Sequence, residues 1–273
     1  MQQLSSCRAA ILPAALAVLL WAGDAQAGGW PLEPGTGEVI VSFTRLSADE
    51  RFESDGTKRW TSHYTKLEVS PYAEYGLTNW LTLIGEAAWS RQETDFFGTE
   101  YADEDFTRLK AGGRISLGDW EETRFSFQPL ATLHLASTSD DPSATRSGDM
   151  DIELGLVLAR SDTVWNMEMF SVQEIAWNYR DRGRPAEARA DVTLGAKPWA
   201  STMLLLKSLN TTALGPTDVG DSYTANKVAL SLVQALPEDL APGVSLEVGM
   251  ERTIAGQNTV DGTTWRLGLW YRF

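Results

Sequence analysis

The last twelve residues, Gly262 to Phe273, alternate polar and apolar without a break. This period of two restricts the fold more than anything else in the chain. Successive strand side chains point to opposite faces, whereas helical spacing would scatter the same residues around an axis. Trp265, Leu267, Leu269, Tyr271 and Phe273 share one face, and Thr264, Arg266, Gly268, Trp270 and Arg272 share the other. The pattern recurs at 150–159, where Met150, Ile152, Leu154, Leu156 and Leu158 oppose Asp151, Glu153, Gly155, Val157 and Ala159, and again at 188–197 and 244–251. Twelve segments read this way: 37–47, 62–75, 79–91, 104–117, 122–137, 149–161, 164–179, 187–198, 201–211, 224–236, 243–254 and 262–273. The expected class is all-β.

The other end of the chain has a different character. Arg8 precedes an apolar stretch from Ala9 to Ala22, and Ala25-Gln26-Ala27 supplies a small-x-small pattern, so residues 1–27 read as a cleaved signal peptide. Residues 28–273 then form a single domain. The apolar stretch is shorter than the roughly 20 residues a spanning helix needs, and no second such run follows, which excludes a helical membrane protein. The one cysteine, Cys7, lies in the segment to be removed. Disulfides, thiol catalysis and cysteine-bound metals are excluded with it.

Connections between the segments alternate in length. Short links contain Gly76-Leu77-Thr78-Asn79, Gly118-Asp119-Trp120-Glu121, Ser161-Asp162-Thr163 and Pro198-Trp199-Ala200-Ser201, while 48–61, 92–103, 138–148 and 212–223 are longer and polar. Pro237 to Pro242 is a longer turn than this rule expects, and the link at 255–261 is short for a loop. Short turns on one side and long loops on the other are how outer-membrane barrels are built. Trp80, Trp120, Trp165 and Trp199 lie by the short turns, and Trp60, Trp89, Trp177 and Tyr179 by the long ones, as two membrane interfaces require. A soluble barrel or sandwich would show the same period with its apolar face inward. The terminal Phe273, with Trp265, Leu267, Leu269 and Tyr271 at two-residue steps before it, resembles the C-terminal signature of bacterial outer-membrane β-barrel proteins. That resemblance implies recognition by the barrel-assembly machinery. The expected fold is a transmembrane antiparallel β-barrel of about 12 strands, facing outer-membrane lipids and lipopolysaccharide.

A narrower resemblance covers residues 67 to 90. Leu67-Glu-Val-Ser-Pro-Tyr-Ala-Glu-Tyr-Gly-Leu-Thr-Asn-Trp-Leu-Thr-Leu-Ile-Gly-Glu-Ala-Ala resembles a strand–turn–strand hairpin of the outer-membrane transporter family labelled for the meta-pathway of phenol degradation. It implies passage of small, often apolar or aromatic solutes, and carries over no binding residue.

The net charge of −14 argues against nucleic acid as a partner. A mildly negative mean hydropathy suits a barrel whose strands are apolar only at every second position. Charged residues inside the strands are the candidate lumen lining. Arg108, Lys110 and Arg114 share one face of one segment with Glu86 beside them, and Asp151, Glu153, Glu168 and Glu174 fall on two others. Opposed basic and acidic walls would orient polar solutes at a constriction; the plainer expectation is cross-strand ion-pair ladders that stiffen the barrel. Glu93, Asp95, Glu100, Asp103, Glu104 and Asp105, and Asp140, Asp141, Asp149 and Asp151, read as solvated acidic loops without the spacing of a calcium loop.

No metal or cofactor is expected. His134 alternates into the lumen with Ser137 on the opposite face, and His63 shares its face with Thr61, so neither forms a recognisable dyad. A passive channel for small solutes is the leading expectation. A lipid-modifying enzyme with Ser, His and acid at the outer leaflet, and a closed structural or adhesive barrel, are the alternatives.

Overall fold

In the computed structural model, the described residues are 28–96, 98–135, 148–181, 184–215 and 222–273. The signal-peptide reading of 1–27 therefore lies outside them, as do Ser137, Asp140 and Asp141. Twelve strands run in chain order: β1 (Gly37–Phe52), β2 (Lys58–Thr78), β3 (Leu81–Phe96), β4 (Thr99–Trp120), β5 (Thr123–His134), β6 (Met150–Val164), β7 (Met167–Arg180), β8 (Glu187–Trp199), β9 (Thr202–Ala213), β10 (Thr224–Ala235), β11 (Val244–Gln257) and β12 (Thr259–Arg272). Each pairs antiparallel with its sequence neighbours, and β1 closes against β12 into a barrel. At the seam, Gly37 N donates to Phe273 O at 2.8 Å, and Phe273 N donates to Gly37 O at 3.0 Å. Closure removes the sheet edge, so every strand finds backbone partners inside the protein, the condition for crossing hydrocarbon.

The two faces of the wall show which solvent each meets. Trp265, Leu267, Leu269, Tyr271 and Phe273 all point outward and are 45–60% exposed. Leu67, Leu83, Leu109 and Ile152 point the same way. The inward positions between them include Ser42, Glu74, Thr82, Arg114, Ser126, Asp151, Glu153 and Glu247, all buried. A soluble barrel would hide its leucines and wet its glutamates, and this chain does the reverse. Trp80, Trp120, Trp165 and Trp199 stand exposed at the short-turn end. Trp177 and Tyr179 are exposed at the opposite end of the apolar band.

The first four strands run further than the sequence suggests. The links at 48–61 and 92–103 are largely strand, since β1 continues to Phe52, β2 begins at Lys58, β3 reaches Phe96 and β4 begins at Thr99. The first hairpin closes through a turn in which Glu53 N donates to Thr57 O at 2.8 Å and Gly56 takes φ 79°. Above the membrane both faces of a strand meet water, so Gln92, Glu93, Thr94 and Asp95 carry no alternation and read as loop. Asp95, Glu100, Asp103, Glu104 and Asp105 accordingly lie on paired strands. Trp60 is displaced with them: it faces Glu50 on this extension, seven residues from Leu67 and beyond the girdle expected of it. At the opposite end, β6 runs through the link expected at 161–163, and Trp165-Asn166, at φ 51° and 61°, make the two-residue turn into β7. Two left-handed residues in succession match the twist of a hairpin.

Candidate functional site

Residues 28–36 enter the barrel at its short-turn end. Leu32 N donates to Thr82 Oγ1 at 2.8 Å, Gly35 N to Gly76 O at 2.9 Å, and Gly76 N to Thr36 O at 3.0 Å. A Cβ on Gly29 would stand 2.7 Å from Val172 Cγ2 and 2.8 Å from Ala159 Cβ, so only glycine brings the chain this close to the wall. Next to it, Trp30 packs edge-on against Phe170 with ring centroids 6.0 Å apart. Val157, Ala159, Phe170, Val172, Met203, Leu205, Val233 and Trp270 form an apolar layer inside the barrel, packed against Trp30 and Ile40. The sequence reading placed several of these on the lumen face without seeing that they meet. Their signal was inward apolar residues recurring near the turn end of β6, β7, β9 and β10.

The expected basic wall is largely neutralised. Arg108 donates through Nε to Glu86 Oε1 at 2.8 Å and through Nη2 to Glu68 Oε1 at 2.9 Å, and Lys66 Nζ sits 2.7 Å from Glu68. Arg114, with 2% of its side chain exposed, makes a bidentate pair with Glu74 at 2.9 Å per bond. Its remaining donors reach Gln128 Oε1 at 3.0 Å and the Trp30 carbonyl at 3.1 Å, which ties the entering segment to β4. A buried guanidinium needs this saturation, because desolvation otherwise costs more than the pair returns.

The expected acidic wall is matched by arginines that the sequence reading did not single out. Asp151 binds His134 Nε2 at 2.9 Å and Arg184 Nη2 at 2.6 Å, with Arg180 Nε 3.8 Å away. Arg189 reaches across Ala176 to Glu153, pairs with Asp191 at 2.9 Å and stands 3.7 Å from Glu174. Glu168 lies at the turn-end rim, half-exposed, with Lys197 at 2.9 Å. Arg180 also holds Glu187 at 2.5 Å, and Glu187 accepts the hydroxyl of Tyr223 just before β10. Burial and that carboxylate push the Tyr223 phenol well above its usual range, so it stays a donor.

Three inward cations differ. Among the described residues, Lys110, Lys207 and Arg266 have no carboxylate within 4.0 Å, and Arg266 makes one hydrogen bond, from Nη1 to Ser42 Oγ at 3.2 Å. Lys207 and Arg266 were missed because sequence shows charge and face but not which partner lies across the barrel. At the turn-end mouth a cavity of about 230 Å³ is lined by Met203, Val233 and Trp270, with Lys197, Glu238 and Arg272 around it. Among the described residues, no group of three or more His, Cys, Asp or Glu side chains is arranged to hold a metal.

Outside the barrel, beyond the apolar band, His63 Nδ1 lies 2.6 Å from Asp49 Oδ1, and its Nε2 lies 3.2 Å from Thr65 Oγ1. The expectation of no dyad at His63 overlooked Thr65, two residues along the same face.

No protein-family model matches the sequence, and no curated protein matches it. Solved structures do. The COG4313 outer membrane channel from Pseudomonas putida F1 superposes with a TM-score of 0.69 at 14% identity, covering 91% of this chain and 99% of that one. The fold is an outer-membrane β-barrel. Further barrels of this kind match less well: the translocator domain of the autotransporter NalP from Neisseria meningitidis, at TM-score 0.54, 12% identity and 95% and 94% coverage, and the NanC porin, at 0.51, 10%, and 85% and 98%. An outer-membrane barrel with this apolar exterior and these girdles resides in the bacterial outer membrane, against its lipids.

Proposed function

We propose that the barrel is a passive outer-membrane channel for small solutes. The observation that carries this reading is an inward face lined by charged and polar side chains, with a cavity at the turn-end mouth that reaches the inner apolar layer at Met203, Val233 and Trp270. Inward charged residues on both sides of that layer suit a wetted path, and the likeness to an outer membrane channel and a porin supports it. The entering segment narrows the passage at Trp30. Single-channel recording of the refolded chain in planar bilayers should give discrete steps, and liposomes carrying it should swell in small aromatic and sugar solutes. A correctly folded barrel that is silent in both assays would leave the closed structural barrel.

We further infer that the chain is processed after Ala27, since Ala25-Gln26-Ala27 follows an apolar stretch in the pattern that signal peptidase cleaves. Mass spectrometry of the chain from outer membranes reads the new terminus. The outward row ending at Phe273 is the proposed contact for the assembly machinery, and the outer ends of β1–β4 for lipopolysaccharide.

One observation favours a lipid-modifying reading, the Asp49–His63–Thr65 chain one strand step above the lipid-facing Leu67. It has the order of acid, base and hydroxyl that nucleophilic catalysis uses. Its hydroxyl is secondary and buried. Ester hydrolysis in detergent that disappears in Thr65→Val would support this reading, and no turnover above background would remove it.

A further inference from the structure

The unpaired cations Lys207 and Arg266 belong to β9 and β12, with β10 and β11 between them. The register shows what lies in the gap. Lys207 is opposite Ala229, Ala229 opposite Glu251, Arg266 opposite Gly249, and Gly249 opposite Ser231. Between the two long cationic side chains the wall is therefore built from Ala229, Ser231 and Gly249. Two carboxylates flank the gap. Glu251 is occupied by Lys227 at 2.9 Å, whereas Glu247 accepts Trp270 Nε1 at 3.0 Å through Oε2 and keeps a buried Oε1 without a partner. Neither lies within 4.0 Å of Lys207 or Arg266.

One lumenal step towards the turn end, the wall is apolar on β9 and β10, with Glu247 beside it on β11. Leu205 follows Lys207 and Val233 follows Ser231, while Met203 and Trp270 come next and line the cavity at the mouth. Two cations thus stand at the head of an apolar patch that continues towards an opening. Elsewhere inside the barrel, Arg108, Arg114, Arg180 and Arg189 are paired with carboxylates of the chain itself. Two cations set against the single carboxylate of Glu247 keep net positive charge in a confined, partly desolvated place, which an anion from outside completes, and a guanidinium suits the two oxygens of a carboxylate.

We infer that Lys207, Arg266 and the apolar patch of Leu205, Val233 and Trp270 bind a small organic carboxylate with an apolar body, head group on the cations and body on the patch. The inference deepens the channel reading, resting on it in that solutes must reach the lumen.

Equilibrium binding tests it without requiring conduction. The folded full-length chain in detergent is titrated with 4-fluorobenzoate and, separately, with fluoroacetate, following ¹⁹F line width and shift. Saturable binding of 4-fluorobenzoate is expected, at least tenfold tighter than fluoroacetate. Lys207→Gln with Arg266→Gln should weaken it tenfold or more, Lys207→Arg should retain it, and Trp270→Leu should narrow the gap between the two probes. Lys110→Gln should leave it unchanged. Heat-modified gel migration confirms that each variant is folded, and the single Lys207→Gln change gives the same reading if the double variant does not fold. Absence of saturable binding to the native chain, or binding undiminished in a folded Lys207→Gln variant, overturns the site. Conductance without such binding overturns the site and keeps the channel; binding to a barrel that never conducts keeps the site and removes the channel.

Discussion

The two sides of the lumen use similar side chains differently. On β2–β8, Arg108, Arg114 and Arg189 are each held by carboxylates from neighbouring or next-neighbouring strands. On β9–β12, Lys227 is held by Glu251 in the same way, but Lys207 and Arg266 have no such partner, and on the first side Lys110 alone shares that state among the described inward cations of β4. The numbers of inward acids and bases nearly balance, so a count alone suggests a pore without ion preference. Pairing decides the field instead. A guanidinium closed by two carboxylates presents little charge to a passing solute, whereas one free ammonium presents all of it.

Stability should separate the two sides most sharply. Arg114→Leu leaves Glu74 buried without its cation and should cost about 3–5 kcal/mol in urea unfolding of the refolded barrel. Lys207→Gln should change stability by less than about 0.5 kcal/mol, and an equal loss at both sites would abolish the distinction. On the exterior, Leu269→Arg near the middle of the lipid-facing row should cost about 2–4 kcal/mol in the same assay, fixing which face meets hydrocarbon. In permeability, Arg108→Gln together with Glu86→Gln should leave the anion-to-cation ratio unchanged, whereas Lys110→Gln should lower it about twofold. Reversal potentials in a salt gradient read both.

The smallest effect lies outside the membrane, where the Thr57 hydroxyl, at 2.6 Å, and amide, at 2.9 Å, hold the Asp55 carboxyl below its usual range. Its contribution to the turn is present above about pH 4, the ordinary aspartate value, and is lost as pH falls through the lowered one. The Thr57 amide shift in a pH titration shows the transition, and Asp55→Asn removes it.

Much of the fold was legible because a lipid exterior imposes a rule that sequence records directly: every second residue apolar, aromatics at the borders, polar residues between. Met150 to Leu158 and Trp265 to Phe273 state it outright. That rule lapses where both faces meet water, which is why β1–β4 were read short and Trp60 was assigned to a girdle it does not join. The lumen was legible only as a set of inward residues. Glu86, Arg108, Lys110 and Arg114 were read as a group on its wall, yet nothing local says that Arg114 reaches over β3 to Glu74 while Lys110 reaches no carboxylate. Contacts of that kind depend on register and on small residues such as Ala176 that let a long side chain cross a strand. Trp30 was harder still, since only closure of the barrel brings residues 28–36 against Phe170.

The seam between Gly37 and Phe273 joins the first strand made to the last. Ribosomal synthesis delivers β1 more than two hundred residues before its partner, so one flank of β1 waits unpaired through the whole of translation and export, a pairing of the highest sequence separation in the molecule. The chain cannot settle piecemeal as it emerges. Until Phe273 arrives it must be kept apart from other strands by something other than its own fold.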